Sequence, residues 1–251
     1  MEAYRLGLVS VSFRQYAPEQ ILASAGEAGL RWIEWGSDIH APYQDRETLE
    51  KLARLQREYG IGCCSYGTYF RLGMTPLDEL DGYITAAGLL GTDTLRLWCG
   101  TKNAEEYTDE EKEALFAECR AAEQIAKRRG VKLCMECHRG TLTHTKEAAL
   151  ELMAAVNSDH FRMYWQPNQH RTEEENIAYA RLIAPYTERI HVFHWEGKLK
   201  LPLAPATDVW KRYLAQFPPY QTLLLEFMPD GKIESLKTEA AALRKIAEED
   251  R

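Results

Sequence analysis

Four positions in the second half of the 251-residue chain combine metal-binding and proton-handling chemistry, each at the end of a short β-rich run. They are Glu136, Gln166, a histidine (His191, with His194 three residues on) and Glu226. Two carboxylates, an amide and an imidazole make a mixed oxygen and nitrogen donor set, which suits Mn2+, Mg2+, Co2+ or Zn2+. Glu136 and Glu226 could also remove and return a proton beside a carbonyl, as a general base and acid do. Other runs end in polar and aromatic groups: Arg14; Glu34, Trp35 and His40; Tyr66 and Arg71; Arg96 and Trp98; His138 and Arg139; Trp165 and Asn168. The tryptophans offer flat faces to the C–H side of a sugar. The arginines, taken together, suit an anionic substrate such as a sugar phosphate or sugar acid, because a guanidinium fork matches those groups. The plain alternative is a buried hydrogen-bonded network, since a lone Glu at a strand end is ordinarily a salt-bridged residue.

These positions gain meaning from the elements that carry them. β-rich runs at 5–11, 31–35, 62–66, 94–98, 132–136, 162–166, 189–194 and 222–226 alternate with amphipathic runs at 18–28, 46–59, 78–90, 109–129, 146–156, 173–183, 208–216 and 233–248. Glycines 29, 60, 91 and 130 each follow a helical run, as C-terminal caps do. Eight strand–helix units in a chain of this length predict a single (β/α)8 barrel, 1–251, with parallel strands joined by right-handed crossovers. A doubly wound open sheet is the runner-up, but it would want a Gly-rich phosphate turn after the first strand, where SVSFR stands instead. In a barrel the chemistry collects where strands end. Adjacent strands lie about 4.8 Å apart, so the four donors can converge on one ion.

Composition narrows the partners. A net charge of −7 argues against nucleic acid, whose binding rests on phosphate neutralisation. No apolar stretch approaches the ~20 residues needed to span a bilayer, and the first residues lack a signal-peptide core. The six cysteines fall mostly in strand-like runs and read as reduced thiols of a cytoplasmic protein. Cys134 and Cys137, three apart in a strand, face opposite ways and make a poor metal knuckle.

With these residues in view, the chain resembles the xylose isomerase-like barrels, which include sugar phosphate isomerases and epimerases, inosose dehydratases and the endonuclease IV fold. The resemblance covers nearly the whole chain and rests on SVSFR, GLRWIEWGSDIHAP, CSYGTYFRLG, TDTLRLWCGTK, MECHRGTLTHT, YWQPN, IHVFHW and LLLEF. It implies one divalent metal held by Glu, Asp, His and Glu from strands five to eight, which here are Glu136, Gln166, His191 and Glu226. His194 becomes the ligand if the frame slips. Gln166 departs from the family's Asp and removes a negative charge, implying weaker metal binding or a different ion preference. The implied activity is isomerisation or epimerisation of a small polyhydroxy compound, with Glu136 and Glu226 trading the proton. Dehydration by a lyase is the alternative, and a non-catalytic sugar-binding module the alternative of another class. A nuclease would need a multi-metal cluster richer in His and Asp than this chain offers. Pairing into a homodimer is the oligomeric expectation, since such barrels often pair.

Overall fold

The computed structural model describes residues 4–248. Eight strands close a parallel barrel: β1 (Arg5–Val9), β2 (Trp32–Gly36), β3 (Gly62–Leu72), β4 (Thr94–Cys99), β5 (Lys132–Glu136), β6 (Phe161–Trp165), β7 (Thr187–Val192) and β10 (Thr222–Leu225). Each strand pairs with its sequence neighbour in the barrel, and β10 closes on β1 with Arg5 opposite Thr222. The fold is the expected (β/α)8 barrel, and closure excludes the open sheet. A two-stranded antiparallel hairpin, β8 (Trp195–Glu196) with β9 (Leu199–Lys200), stands apart from the barrel after β7.

Eight helices follow the strands: α1 (Pro18–Glu27), α2 (Arg46–Tyr59), α3 (Leu80–Leu90), α4 (Asp109–Arg129), α5 (Lys146–Val156), α6 (Glu173–Ile183), α7 (Thr207–Leu214) and α8 (Leu236–Ala247). Their ends follow local chemistry. In α4 the Thr108 hydroxyl accepts from the Glu111 N–H while the Glu111 carboxylate accepts from the Thr108 N–H. Acidic residues fill the first turn and Lys127, Arg128 and Arg129 the last, both matching the helix dipole. The chain then leaves through Gly130 at φ 66°, a left-handed conformation that glycine adopts without a Cβ penalty.

Several boundaries depart from expectation. β1 stops at Val9, because Ser10–Phe13 forms a 3-10 turn that buries Ser10, Ser12 and Phe13. β3 runs on to Leu72, six residues beyond the expected end. β7 stops at Val192, so His194 lies outside the strand. α3 begins at Leu80 after a 3-10 turn, and α7 spans Thr207–Leu214.

Period-two alternation divides the apolar residues into two sets. A small cluster of Val9, Val11, Cys64, Cys134, Tyr164 and Leu224 packs apart from the main core, with Trp32 against it. The much larger cluster joins the outer faces of strands such as β2 and β6 to the helices, and holds Trp35, Trp165 and Trp210. No helix among the described residues is long and apolar enough to cross a membrane.

Gly7 is pressed where β1 meets its two neighbours. A Cβ there would sit 2.6 Å from the Trp32 carbonyl oxygen and 2.7 Å from Leu224 Cδ2. One of these is backbone and cannot swing away. Gly7→Ala is therefore expected to cost about 1–3 kcal/mol as an overpacked interior. A lower urea midpoint at unchanged slope would show it, and an unchanged midpoint would refute it.

Candidate active site at the barrel mouth

Glu34, Arg96, Glu136, Tyr164 and His191 face inward from β2, β4, β5, β6 and β7, and all are buried. Arg96 spans two carboxylates, with Nε 2.9 Å from Glu34 Oε1 and Nη1 2.5 Å from Glu136 Oε2. The pair is possible because β3 carries a glycine opposite: a Cβ on Gly67 would lie 2.7 Å from Glu34 Oε1 and 3.0 Å from Arg96 Nη2. Ser65 Oγ and Tyr164 OH donate to the other Glu34 oxygen at 2.5 and 2.8 Å. Burial opposes ionisation of Glu34, but Arg96 and His191 outweigh it and bring the carboxyl down to about 2. Glu136 is likewise held well below the usual carboxylate range, against its burial, by Arg96 and His191.

His191 sits between these groups. Its Nε2 lies 3.5 Å from Glu34 Oε1 without hydrogen-bond geometry to any partner. Its Nδ1 faces Gln166 Oε1 at 3.3 Å, Glu136 Oε1 at 3.6 Å and Glu226 Oε2 at 3.6 Å. Gln166 Nε2 donates to the Cys137 carbonyl at 3.3 Å, which turns the amide oxygen toward the imidazole. Burial disfavours a charged imidazole, yet Glu226 and Glu34 raise His191 to about 10. Burial pushes Glu226 up to about 7, helped by Glu136 and Glu34 and opposed by His191 and Arg96. Immediately after it Phe227 takes a left-handed backbone at φ 59°, with its N–H on Ser12 Oγ at 2.8 Å. Such a conformation costs about 1–3 kcal/mol in a non-glycine residue. It ends the strand sharply, and both Glu226 and Phe227 line the same cavity.

That cavity has a volume of 310 Å3. Of the residues expected from sequence, Arg14, Arg96, Trp98, Glu136, His138, Gln166, Asn168 and Glu226 line it, and His191 lies beneath it. The others are not brought to it. Trp35 and Trp165 are buried on the outer face of the strands, where Trp35 Nε1 donates to Gln56 and Trp165 packs on Trp210 and Phe217. Tyr66 is fully buried with its hydroxyl on the Ala41 carbonyl, and His40 is held by Ser10 and the Tyr16 carbonyl. Arg71 donates to the Gly100 and Gly140 carbonyls and stacks over Trp98, so it braces two loops. Glu34 is fully buried, in contact with Arg96 and His191, and does not line the cavity. His194 Nδ1 faces the Pro202 carbonyl at 2.8 Å and lines a neighbouring pocket, which disfavours it against His191 as a ligand.

Tyr69, Phe193 and Phe227 line the cavity too, beside Arg139 and Trp195. The signal for the misassigned residues was present in the sequence. If Glu34 faces inward then Trp35, one residue on, cannot, and the same holds for Ser65 with Tyr66 and for Tyr164 with Trp165.

The chain belongs to the xylose isomerase-like TIM barrel family, whose model matches residues 22–202. Within it the chain is similar to a 3-dehydroshikimate dehydratase of Bacillus anthracis, 21% identical over 168 residues, which are 63% of this chain and 60% of that protein. Its backbone resembles the crystal structure of the probable 3-DHS dehydratase AsbF, involved in petrobactin synthesis in Bacillus anthracis (TM-score 0.81, 16% identity, 96% and 98% of the two chains). It also resembles IolI protein with a bound zinc atom (TM-score 0.74, 16% identity, 96% of each chain). A third likeness is to apo 3-keto-D-glucoside 4-epimerase, YcjR, from E. coli (TM-score 0.73, 13% identity, 96% and 99%).

The Arg96 bridge makes a direct prediction. Arg96→Met should leave two buried carboxylates without their cation and cost about 3–5 kcal/mol. Urea denaturation measures this, and a loss below about 1 kcal/mol would show that the bridge does not hold the site together.

Proposed function

We propose that the chain is a divalent-metal-dependent enzyme that removes the proton beside the carbonyl of a small anionic polyhydroxy compound. The observation that carries this reading is the convergence of Glu136, Gln166, His191 and Glu226 below the cavity. No cluster of three His, Cys, Asp or Glu among the described residues is by itself a metal cage. The set here is completed by an amide. The 3.3–3.6 Å spacing of the three oxygens from His191 Nδ1 is close to the ~3.4 Å edge of a tetrahedron with ~2.1 Å bonds. These residues therefore fit a divalent cation, which would supply Lewis-acid polarisation of the carbonyl.

The two carboxylates differ in what else binds them. Oε2 of Glu136 accepts from Arg96 Nη1 and from Trp98 Nε1, both at 2.5 Å, so this residue is a fixed ligand and a poor base. Glu226 has no such donors; its ion pair among the described residues is the long one to His191. It is the base. Arg14 is already engaged by Asp38 and Tyr69. Among the described residues the Arg139 side chain has only His170 Nε2, at 3.4 Å, and is placed to take a carboxylate or phosphate of the substrate. Trp98, Trp195 and Phe227 offer ring faces to its C–H side.

One effective base changes the balance between reactions. Inversion at one carbon needs a proton donor on the opposite face, whereas dehydration needs one base that takes the carbon-bound proton and then gives it to the departing hydroxyl, which leaves as water. We therefore favour a dehydratase acting on a hydroxy-keto acid, a reading also supported by the likeness to 3-dehydroshikimate dehydratase. Isomerisation, in which Glu226 returns the proton to the adjacent carbon, is the second reading and needs the same single base.

Two experiments test this. With Mn2+ and a panel of hydroxy-keto acids, ketoses and their phosphates, solvent deuterium should enter the substrate, or product mass should fall by one water. Glu226→Gln should slow either process by about 10^2–10^4-fold. Ligand binding without turnover or exchange, unchanged by Glu226→Gln, would leave a sugar-binding module. Calorimetry of Mn2+ binding gives the second test: Gln166→Asp should tighten it roughly tenfold by adding a ligand charge. Unaltered affinity would remove Gln166 from the ligand set.

A further inference from the structure

The other end of the barrel carries the opposite charge. By the alternation that sends Glu34, Glu136 and His191 inward, Arg5, Lys132, Arg162 and Arg189 are the inward positions at the N-terminal ends of β1, β5, β6 and β7. Arg5, Arg162 and Arg189 line a cavity of 600 Å3 with Glu188, Tyr220 and Gln221 among others, separate from the mouth, and Lys132 reaches the Glu188 of its wall. The geometry points to this floor as a second binding site, one for a phosphate-type oxyanion.

Among the described residues Glu188 is the only acid lining the cavity, and it is already surrounded. Lys132 Nζ and Arg162 Nε lie 3.1 and 3.2 Å from its Oε1, and Arg189 Nη1 lies 3.6 Å from its Oε2. Asp159, fully exposed and 3.9 Å from Arg162, is screened by solvent and adds little. Among the described residues three cations therefore surround one carboxylate, with Arg5 a fourth on the same cavity, in a protein of net charge −7.

Donor capacity is also left over. The largely buried Arg189 side chain spends Nη1 on the Glu188 carbonyl and Nη2 on the Cys64 carbonyl, while its Nε has no partner. Arg5 stacks over Trp32, 5.4 Å from the ring centroid, a contact that uses its face and leaves its N–H edge available. An unpaired buried guanidinium N–H carries a desolvation penalty that an oxyanion would remove. A dianion answers the surplus charge better than a single carboxylate. The cavity exceeds the size of one phosphate, so the phosphoryl group of a larger molecule fits as well as the free ion.

The test is calorimetric titration of inorganic phosphate into the full chain, with ionic strength held constant by chloride. Saturable binding is expected, weakened at least tenfold by Arg189→Met and by Arg5→Gln, and unchanged by Arg120→Ala on the exposed face of α4. Glycerol phosphate in a parallel titration identifies the source: tighter binding than phosphate points to an ester, equal or weaker binding to the free ion, and both support the site. Either no saturable binding or binding that survives both floor substitutions would overturn it. Should Arg189→Met fail to fold by circular dichroism, Arg5→Gln, at the exposed edge, decides alone.

Discussion

Arg96 occupies the middle of the barrel as a buried guanidinium held between Glu34 and Glu136, and the polar cluster at the barrel mouth is organised around it. A cation placed there without partners would cost several kcal/mol in desolvation. It is tolerated because two strands supply carboxylates at 2.5–2.9 Å and a third, β3, supplies a glycine where any side chain would intrude. The cost is met by geometry, and the geometry then dictates function. One oxygen of Glu136 is consumed by Arg96 and Trp98, so only the other can face His191. Glu34 is consumed entirely, by Arg96, Ser65, Tyr164 and the back of the imidazole.

Charge is concentrated in this cluster. Glu34, Glu136 and Glu226 bring three negative charges and Arg96 one positive charge, leaving −2 around a neutral His191. Without a cation the imidazole itself is driven to protonate, as its raised pKa shows. On the proposed reading, metal binding and imidazole protonation would compete for the same site, the usual linkage when a ligand must shed its proton. Gln166 matters in this light. An Asp there would make the cluster −3, so the amide leaves less negative charge for the proposed cation.

Much of the fold was legible because helix caps and glycine stops are local. Gly130 ends α4 and Thr108 begins it for reasons contained in a few residues. The four facing donors were legible because they recur at strand ends in sequence order. What could not be read is lateral: which residues of neighbouring strands share a layer depends on barrel stagger, and β3, for one, shifts register against both β2 and β4. Without those shifts Gly67 cannot be placed against Arg96, nor Tyr164 against Glu34. The misplacement of Trp35, Tyr66 and Trp165 has a simpler cause. Glu34 and Gln166 were already read as facing the site, and alternation then required Trp35 and Trp165 to face the helices; for Tyr66 no neighbour had been so placed.

The same alternation separates charge along the barrel axis, and the surrounding helices bear on why. Each helix starts near the mouth and returns to the floor, so its positive end accompanies the carboxylates and its negative end the cations. That field favours both charge sets and accounts in part for basic residues at the floor. It does not account for Arg189. The helix ends ring the outside of the sheet, whereas Arg189 reaches across the interior to the Cys64 carbonyl and leaves Nε unpaired. A dipole spread over the outer ring cannot satisfy a directional N–H inside the barrel; only an acceptor placed there can.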